Sequence, residues 1–257
     1  RACSAEELEL GPGELDAVFT DPPYFANVQY AELMDFCYVW LRQHMDGRPE
    51  FADVSTRTPR ELTVNETEGR GIEHFTEGMS RAYSTFAKGL KEGGPFVFTY
   101  HHNEVEAYFP IAVALLDADL VCTASLPSPA EMGASIHISG TTSSTLDTVF
   151  VSRNRGRVRA KYFTPPREAL ERVLRRDLEE LIEGDLEPTK GDAYCLLLGH
   201  LTRLAIWSVR DDWDSALPVG KKLKRIRSAF RDESVRRRVC GRHRQPALPA
   251  GSPSPPG

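Results

Sequence analysis

Four consecutive residues, Asp21-Pro22-Pro23-Tyr24, combine a carboxylate, two rigid imino acids and a phenol. The two prolines end any strand that enters the segment, because neither can donate a backbone hydrogen to a ladder. What remains is a stiff loop that can aim a side-chain oxygen, a carbonyl and an aromatic face at one point. A planar nucleobase amine suits that constellation. Its lone pair is delocalised into the ring, so the nitrogen is a poor nucleophile until its two N–H groups are held out of the ring plane. The Asp21 carboxylate and the Pro22 carbonyl can accept those hydrogens, Pro23 fixes the loop, and Tyr24 can stack on a base taken out of its helix. Phe25 and Asn27, next along the chain, are candidate substrate contacts. The competing reading is a Pro-Pro turn in which Asp21 caps a helix and Tyr24 packs in the core.

Such a loop needs a strand before it and a helix after it. Residues 15–20 (LDAVFT) are an apolar run fit for a buried strand. From Asn27, a candidate cap, apolar residues fall at Tyr30, Leu33, Met34, Cys37, Trp40 and Leu41, with Phe36 and Val39 on a second side; the pattern predicts a helix deep in the core. A longer amphipathic helix places Ile72, Phe75, Met79, Ala82, Phe86 and Leu90 on one face and ends at Gly93-Gly94-Pro95. A second strand covers 96–100. Asn103 and Glu106 stand at capping-box spacing before a further helix, which Pro110 must kink or open. Strands at 120–125 and 148–152 follow, then helices at 167–183 and 193–209. The alternation predicts an α/β fold: a mostly parallel sheet covered on both faces, with the last two strands forming an antiparallel edge pair. Ligands of such sheets bind beyond the carboxyl ends of the parallel strands, where Asp21 stands.

With 257 residues, 40% of them hydrophobic, the chain is not wholly disordered. No run reaches the roughly 18 to 20 apolar residues of a membrane span, and the acidic first ten residues do not resemble a signal peptide. A cytoplasmic chain with no membrane partner is expected. Its five cysteines are odd in number and scattered, so neither a disulfide framework nor a metal site is expected. The net charge of -5 hides a basic stretch, 221–244, whose eleven Lys and Arg against Asp232 and Glu233 give +9 and leave -14 elsewhere. That stretch fits nucleic acid or a solvated helix running into a tail, and 236–257 reads as a disordered tail. His101 and His102 follow the second strand; as neighbours they point to opposite sides, which argues against a shared metal and leaves His101 as the candidate substrate contact. In the connection 126–147, which overhangs the same face, Glu131 and His137 are candidate target-strand contacts. Arg153, Arg155, Arg157, Arg159 and Lys161 alternate at strand period, either to bind phosphates or to form a solvated basic edge.

The tetrapeptide, with residues 16–42 (DAVFTDPPYFANVQYAELMDFCYVWLR) and 96–102 (FVFTYHH), resembles the amino-methyltransferases that act on exocyclic amines in DNA. The similarity is to the large prokaryotic adenine-specific DNA methylases of host defence, and it spans about 15–152. It implies the C-terminal half of a Rossmann-like class I methyltransferase sheet: 15–20 as the fourth strand, the others as the fifth to seventh. Residues 1–155 are then a partial catalytic domain and 156–235 a helical extension. It further implies DNA as partner, S-adenosylmethionine as cofactor, and direct transfer of methyl to the adenine amine. The family's glycine-rich loop after its first strand and acidic residue after its second are not recognisable. Gly11-Pro12-Gly13, Gly69-Arg70-Gly71 and Gly93-Gly94 all lack a strand–loop–helix setting. Cofactor-binding residues therefore stay unassigned, and with Arg1 opening the chain, the missing N-terminal half of the same enzyme is expected upstream. An RNA or protein-glutamine methyltransferase, whose families usually carry asparagine at the position of Asp21, and a non-catalytic nucleic-acid-binding fragment stay open.

Overall fold

The computed structural model describes residues 4–45, 47–129, 144–154 and 167–231. Its sheet has four strands, β1 (Val18–Thr20), β2 (Phe96–Tyr100), β3 (Leu120–Pro129) and β4 (Leu146–Asn154), in the order β1-β2-β4-β3. β1 is parallel to β2, whereas β4 is antiparallel to both β2 and β3. Three strands thus share a direction and the last in sequence is reversed. The last two strands form the expected antiparallel pair at one edge of the sheet, with β3 outermost and the reversed β4 inside it. Phe150 of β4 stacks on Phe98 of β2 at 5.0 Å between ring centroids, and such a buried aromatic pair rewards a central position. β1 is shorter than the predicted 15–20, with Leu15 reduced to an isolated bridge to Leu90, while β3 and β4 run longer than predicted.

Period-two alternation sorts the two faces of the sheet. Phe96, Phe98, Tyr100, Thr148 and Phe150 are fully buried. Onto them pack α2 (Ile72–Gly89), α3 (Tyr108–Asp117) and α5 (Lys190–Val209). Tyr83 of α2 meets Phe96 and Phe98 at 4.8 and 5.4 Å, and Tyr108 of α3 meets Tyr100 at 5.4 Å. At Gly199, α5 comes so close that an added Cβ would lie 2.5 Å from Ser125 Oγ. On the opposite face, Phe19 is exposed and Val97, Thr99, Val149 and Val151 are half-exposed. The described helices α2, α3 and α5 therefore cover one face where two covered faces were expected.

Pro110 opens α3 rather than kinking it, since a first-turn N–H lacks a helical partner in any case. A 3-10 turn, Val105–Ala107, precedes it, and no side chain caps either segment, so the Asn103–Glu106 box is not formed. α4 (Arg167–Glu183) is fastened to α5 by Asp177 and His200, 2.8 Å apart and both buried. α6 (Val219–Arg231) is the described part of the basic stretch; it is packed as well as basic, with Phe230 against Phe109 and Lys222 2.8 Å from Asp117. Among the described residues no helix is long and apolar enough to cross a membrane.

The largest departure from expectation is α1 (Tyr30–Arg42), predicted deep in the core. Its one buried residue is Ala31, while Phe36 is 75% and Trp40 62% exposed. Asn27 does not cap it; the N-cap is Gln29, whose own side chain makes no cap bond, and the first-turn N–H of Ala31 is met instead by the distant Glu61 carboxylate. An apolar helical pattern says that a face is to be covered without saying by what.

One buried carboxylate joins α5 to the start of β4. Asp192 accepts hydrogen bonds from the backbone and hydroxyl of Thr189, from the hydroxyl of Ser144 and from the backbone N–H groups of Thr145 and Leu146. Burial works against the charge, but the donors from Thr189, Ser144 and Thr145 prevail and hold the carboxyl below its usual range. Its stabilisation is therefore present above the ordinary carboxylate pKa and is lost as pH falls through the lower folded value. Asp192→Asn is expected to cost about 2–3 kcal/mol near neutral pH, with an unfolding midpoint that varies less with pH on the acid side. Denaturant titrations from pH 3 to 7 check both.

Candidate active site

The parallel register that sets Thr20 beside Phe98 carries Asp21 alongside Thr99, one residue past β1. There the Thr99 hydroxyl donates to Asp21 Oδ1. Asp21 is exposed and lies well before α1, so it is not a helix cap. Pro22 is buried and Pro23 half-buried, which anchors the loop beneath that carboxylate. Tyr24 is half-buried, 5.3 Å from Tyr100 and edge-on to His101 at 5.6 Å. Burial raises the Tyr24 phenol far above its usual range; Thr99 opposes the shift, and Asp21 and Asp147 add to it. The phenol therefore stays protonated, a hydrogen-bond donor in the neighbourhood of Asp21. Tyr24 thus combines the two sequence readings: it packs against the core while keeping part of its surface open.

Phe25 has φ +52°, left-handed backbone that costs a bulky residue on the order of 1–3 kcal/mol. The surroundings hold it there. Val64 N–H donates to the Phe25 carbonyl at 3.0 Å, and the ring lies edge-on to Phe75 and His102 at 5.6 and 5.5 Å. Asn27 is exposed, and its N–H closes a turn onto the Tyr24 carbonyl at 2.9 Å.

On the other side of Tyr24, the β2–β4 register sets Asp147 beside His101, with Nδ1 2.8 Å from Oδ1. A carboxylate there fixes the tautomer and plane of the imidazole. His102 faces the opposite way. It is buried, its Nδ1 accepts from Glu104 N–H at 3.0 Å, and burial lowers its pKa, so it is neutral. The structure thus brings together Asp21, Tyr24 and His101, with Pro22 and Pro23 beneath them, and turns His102 away. Arg153 donates to the Gly93 carbonyl at 2.8 Å, at the end of β4 remote from Asp147. Glu131 and His137 lie outside the described residues, as do Arg155, Arg157, Arg159 and Lys161.

Three features of the site are not read from the sequence. Thr99 and Asp147 become visible only once register is known; Thr99 is a polar residue in an otherwise apolar strand, whereas Asp147 stands just before the predicted strand 148–152 and carried no signal. The third is a polar clasp behind the loop. Gln29 Nε2 donates to the Val64 carbonyl at 3.0 Å, while Gln29 Oε1 accepts from Thr63 and Asn65. Glu61 accepts from Ala31 N–H and pairs with Arg70 at 2.6 Å, the two side chains being only 12% and 8% exposed. The clasp fixes the chain between the tetrapeptide and α1.

Comparisons of the chain with protein-family models, with curated proteins and with solved structures gave no match. The site's own geometry therefore carries its chemical reading. Removing one partner of the Glu61–Arg70 pair leaves the other charge buried, so Glu61→Ala and Arg70→Ala are each expected to cost about 2–4 kcal/mol. The double variant should cost clearly less than the sum of the two, and a double-mutant cycle in urea measures that coupling.

Proposed function

We propose that this chain is the target-base part of an S-adenosylmethionine-dependent DNA methyltransferase that acts on the exocyclic amine of adenine, in the cytoplasm and in host defence or restriction–modification. One observation carries the reading. An exposed carboxylate, Asp21, stands past the carboxyl end of a parallel strand pair, anchored through one oxygen by Thr99 and flanked by Tyr24. An ionised carboxylate has about four acceptor positions, so the bond to Thr99 sets its orientation and leaves capacity for an amine hydrogen. The Pro22 carbonyl can take the second hydrogen, because proline has no N–H and its carbonyl direction is fixed by a rigid loop. Holding both hydrogens returns electron density to the nitrogen, which is the activation this chemistry requires. The sheet agrees with the fourth to seventh strands of a Rossmann-like class I methyltransferase in having three co-directional strands and a reversed final strand.

The residues described here do not fit the cofactor. Gly13 lies in a turn before β1, Gly69 ends a 3-10 turn and Gly93 lies in the turn into β2, none of them between a strand and a helix. The reading assigns the cofactor to an N-terminal half of the same enzyme, seated on the outer edge of β1, with DNA as the other partner.

The test is methyl transfer from labelled S-adenosylmethionine by the enzyme carrying this segment and its cofactor half, offered duplex DNA, RNA and a glutamine-containing peptide. N6-methyladenine in DNA is expected. Asp21→Ala should lower the rate by about 10²–10³-fold, the scale of losing one preorganised charge-assisted contact, with DNA affinity changed little. Label in RNA or peptide, or DNA binding without any transfer, contradicts the reading.

A further inference from the structure

The outer face of α6 carries cations and nothing that offsets them. Leu223, Ile226, Ala229 and Phe230 are buried where the helix packs on α3 and α5, and Lys222 is paired with Asp117. On the other side stand Lys221, Lys224, Arg225, Arg227 and Arg231, which at 100° per residue occupy an arc of about 160° whose one further member is Ser228. Arg225 is half-exposed and the other four are exposed. Among the described residues none of the five is ion-paired. This arrangement opposes the helix that bears it. Lys221 sits in the first turn, where the macrodipole favours an acid, and Lys221–Arg225 and Arg227–Arg231 are like charges one turn apart. Two of the arginines are nonetheless set in place by rings: the Arg225 guanidinium lies 5.8 Å over Trp213 and that of Arg227 5.7 Å over Phe109. Repulsion that the helix cannot relieve by itself is relieved by an anionic partner.

We infer that this face of α6 binds the phosphate backbone of duplex DNA, as a contact surface additional to the Asp21 loop. Charge complementarity favours it. From Lys221 to Arg231 the helix rises about 15 Å, and that length of duplex carries about nine phosphate charges, enough to engage all five cations. Arginine forks suit phosphate oxygens, and the Ser228 hydroxyl within the arc adds a donor. The Asp21 loop does not supply this affinity, because its face holds Asp21 and Asp147, which repel phosphate. Outside 221–244 the chain sums to -14, so its field turns a polyanion toward the basic stretch. A lipid surface fits less well, since the apolar side of α6 is already packed and leaves nothing to insert between lipids. The inference rests on the proposed function only in naming DNA rather than RNA; phosphate binding by α6 needs neither cofactor nor methyl transfer.

The experiment uses the 257-residue chain without cofactor and a fluorescent DNA duplex, with anisotropy read from about 50 to 200 mM KCl. Five phosphate contacts give a slope of log K against log salt of about -4.5 or steeper, a loss of about 500-fold or more over that range. The triple variant Lys224→Gln, Arg227→Gln, Arg231→Gln, all at exposed positions, should flatten the slope by about 2.7 and weaken binding at least about 10-fold at the lowest salt, with circular dichroism unchanged. Should that variant unfold, Lys221→Gln with Lys224→Gln, which disturbs neither ring contact, should flatten the slope by about 1.8. Asp21→Ala should leave affinity and slope as they are. DNA binding that depends on α6, found together with an enzyme that transfers no methyl group, contradicts the methyltransferase reading and leaves this inference standing. A slope that neither α6 variant changes, or no binding at the lowest salt, overturns the inference. Tighter binding to duplex RNA, to phosphatidylserine vesicles or to a polyglutamate peptide overturns it as well.

Discussion

A single hydrogen bond across the β1–β2 pair, from the Thr99 hydroxyl to the Asp21 carboxylate, ties the loop of Asp21 to Tyr24 to the sheet. Everything else at the site depends on the register that makes this bond possible. With Val18 opposite Phe96 and Thr20 opposite Phe98, the next residues along each strand are Asp21 and Thr99, and their side chains share a face. A slip by one position would send Thr99 to the packed side and leave the carboxylate without its anchor. Register is in turn held by the aromatic side chains of that packed side, Phe96, Phe98 and Tyr100, locked against Tyr83, Tyr108 and Phe150. The placement of an exposed acid is thus decided by buried rings on the other face of the same strand.

The molecule is correspondingly one-sided. Helices α2, α3 and α5 close one face of the sheet, and the face carrying Asp21, Thr99, His101 and Asp147 keeps partial exposure among the described residues. Polar groups on that face pair with one another rather than with water alone: Asp21 with Thr99, and His101 with Asp147. Between these pairs stands Tyr24, half-buried, its phenol kept protonated by burial. The same one-sidedness governs α1, which is fastened by polar contacts of Ala31 and Asp35 and leaves its apolar stripe exposed. The two surfaces differ in chemistry: the first is polar and concentrated beside a rigid loop, the second uncharged and broad.

Much of this was legible in the amino-acid sequence because local rules wrote it. Residues 96–100 and 167–183 form a strand and a helix with the predicted bounds, since a five-residue apolar run before a polar stop and a 3.6-residue pattern leave little latitude. The tetrapeptide announced a loop through its two prolines. The opposition of His101 and His102 followed from strand parity and is found. What could not be read depended on pairs distant in sequence. Thr99 is 78 residues from Asp21, and only the register joins them. The reversed strand lies inside the sheet because Phe150 prefers Phe98 as a neighbour, a choice invisible to periodicity. For α1 the pattern was right about its helical form and wrong about its depth, because periodicity measures how much apolar surface a helix carries and cannot say whether this chain covers it.

The most direct measurement is an amide NMR titration of the chain with deoxyadenosine and, separately, with its N6,N6-dimethyl derivative, which lacks both amine hydrogens. If Asp21 and the Pro22 carbonyl grip those hydrogens, deoxyadenosine will shift resonances at Asp21, Tyr24, Thr99 and His101, and the dimethyl compound will not. Shifts that are the same for both compounds, or that fall elsewhere on the molecule, contradict the account.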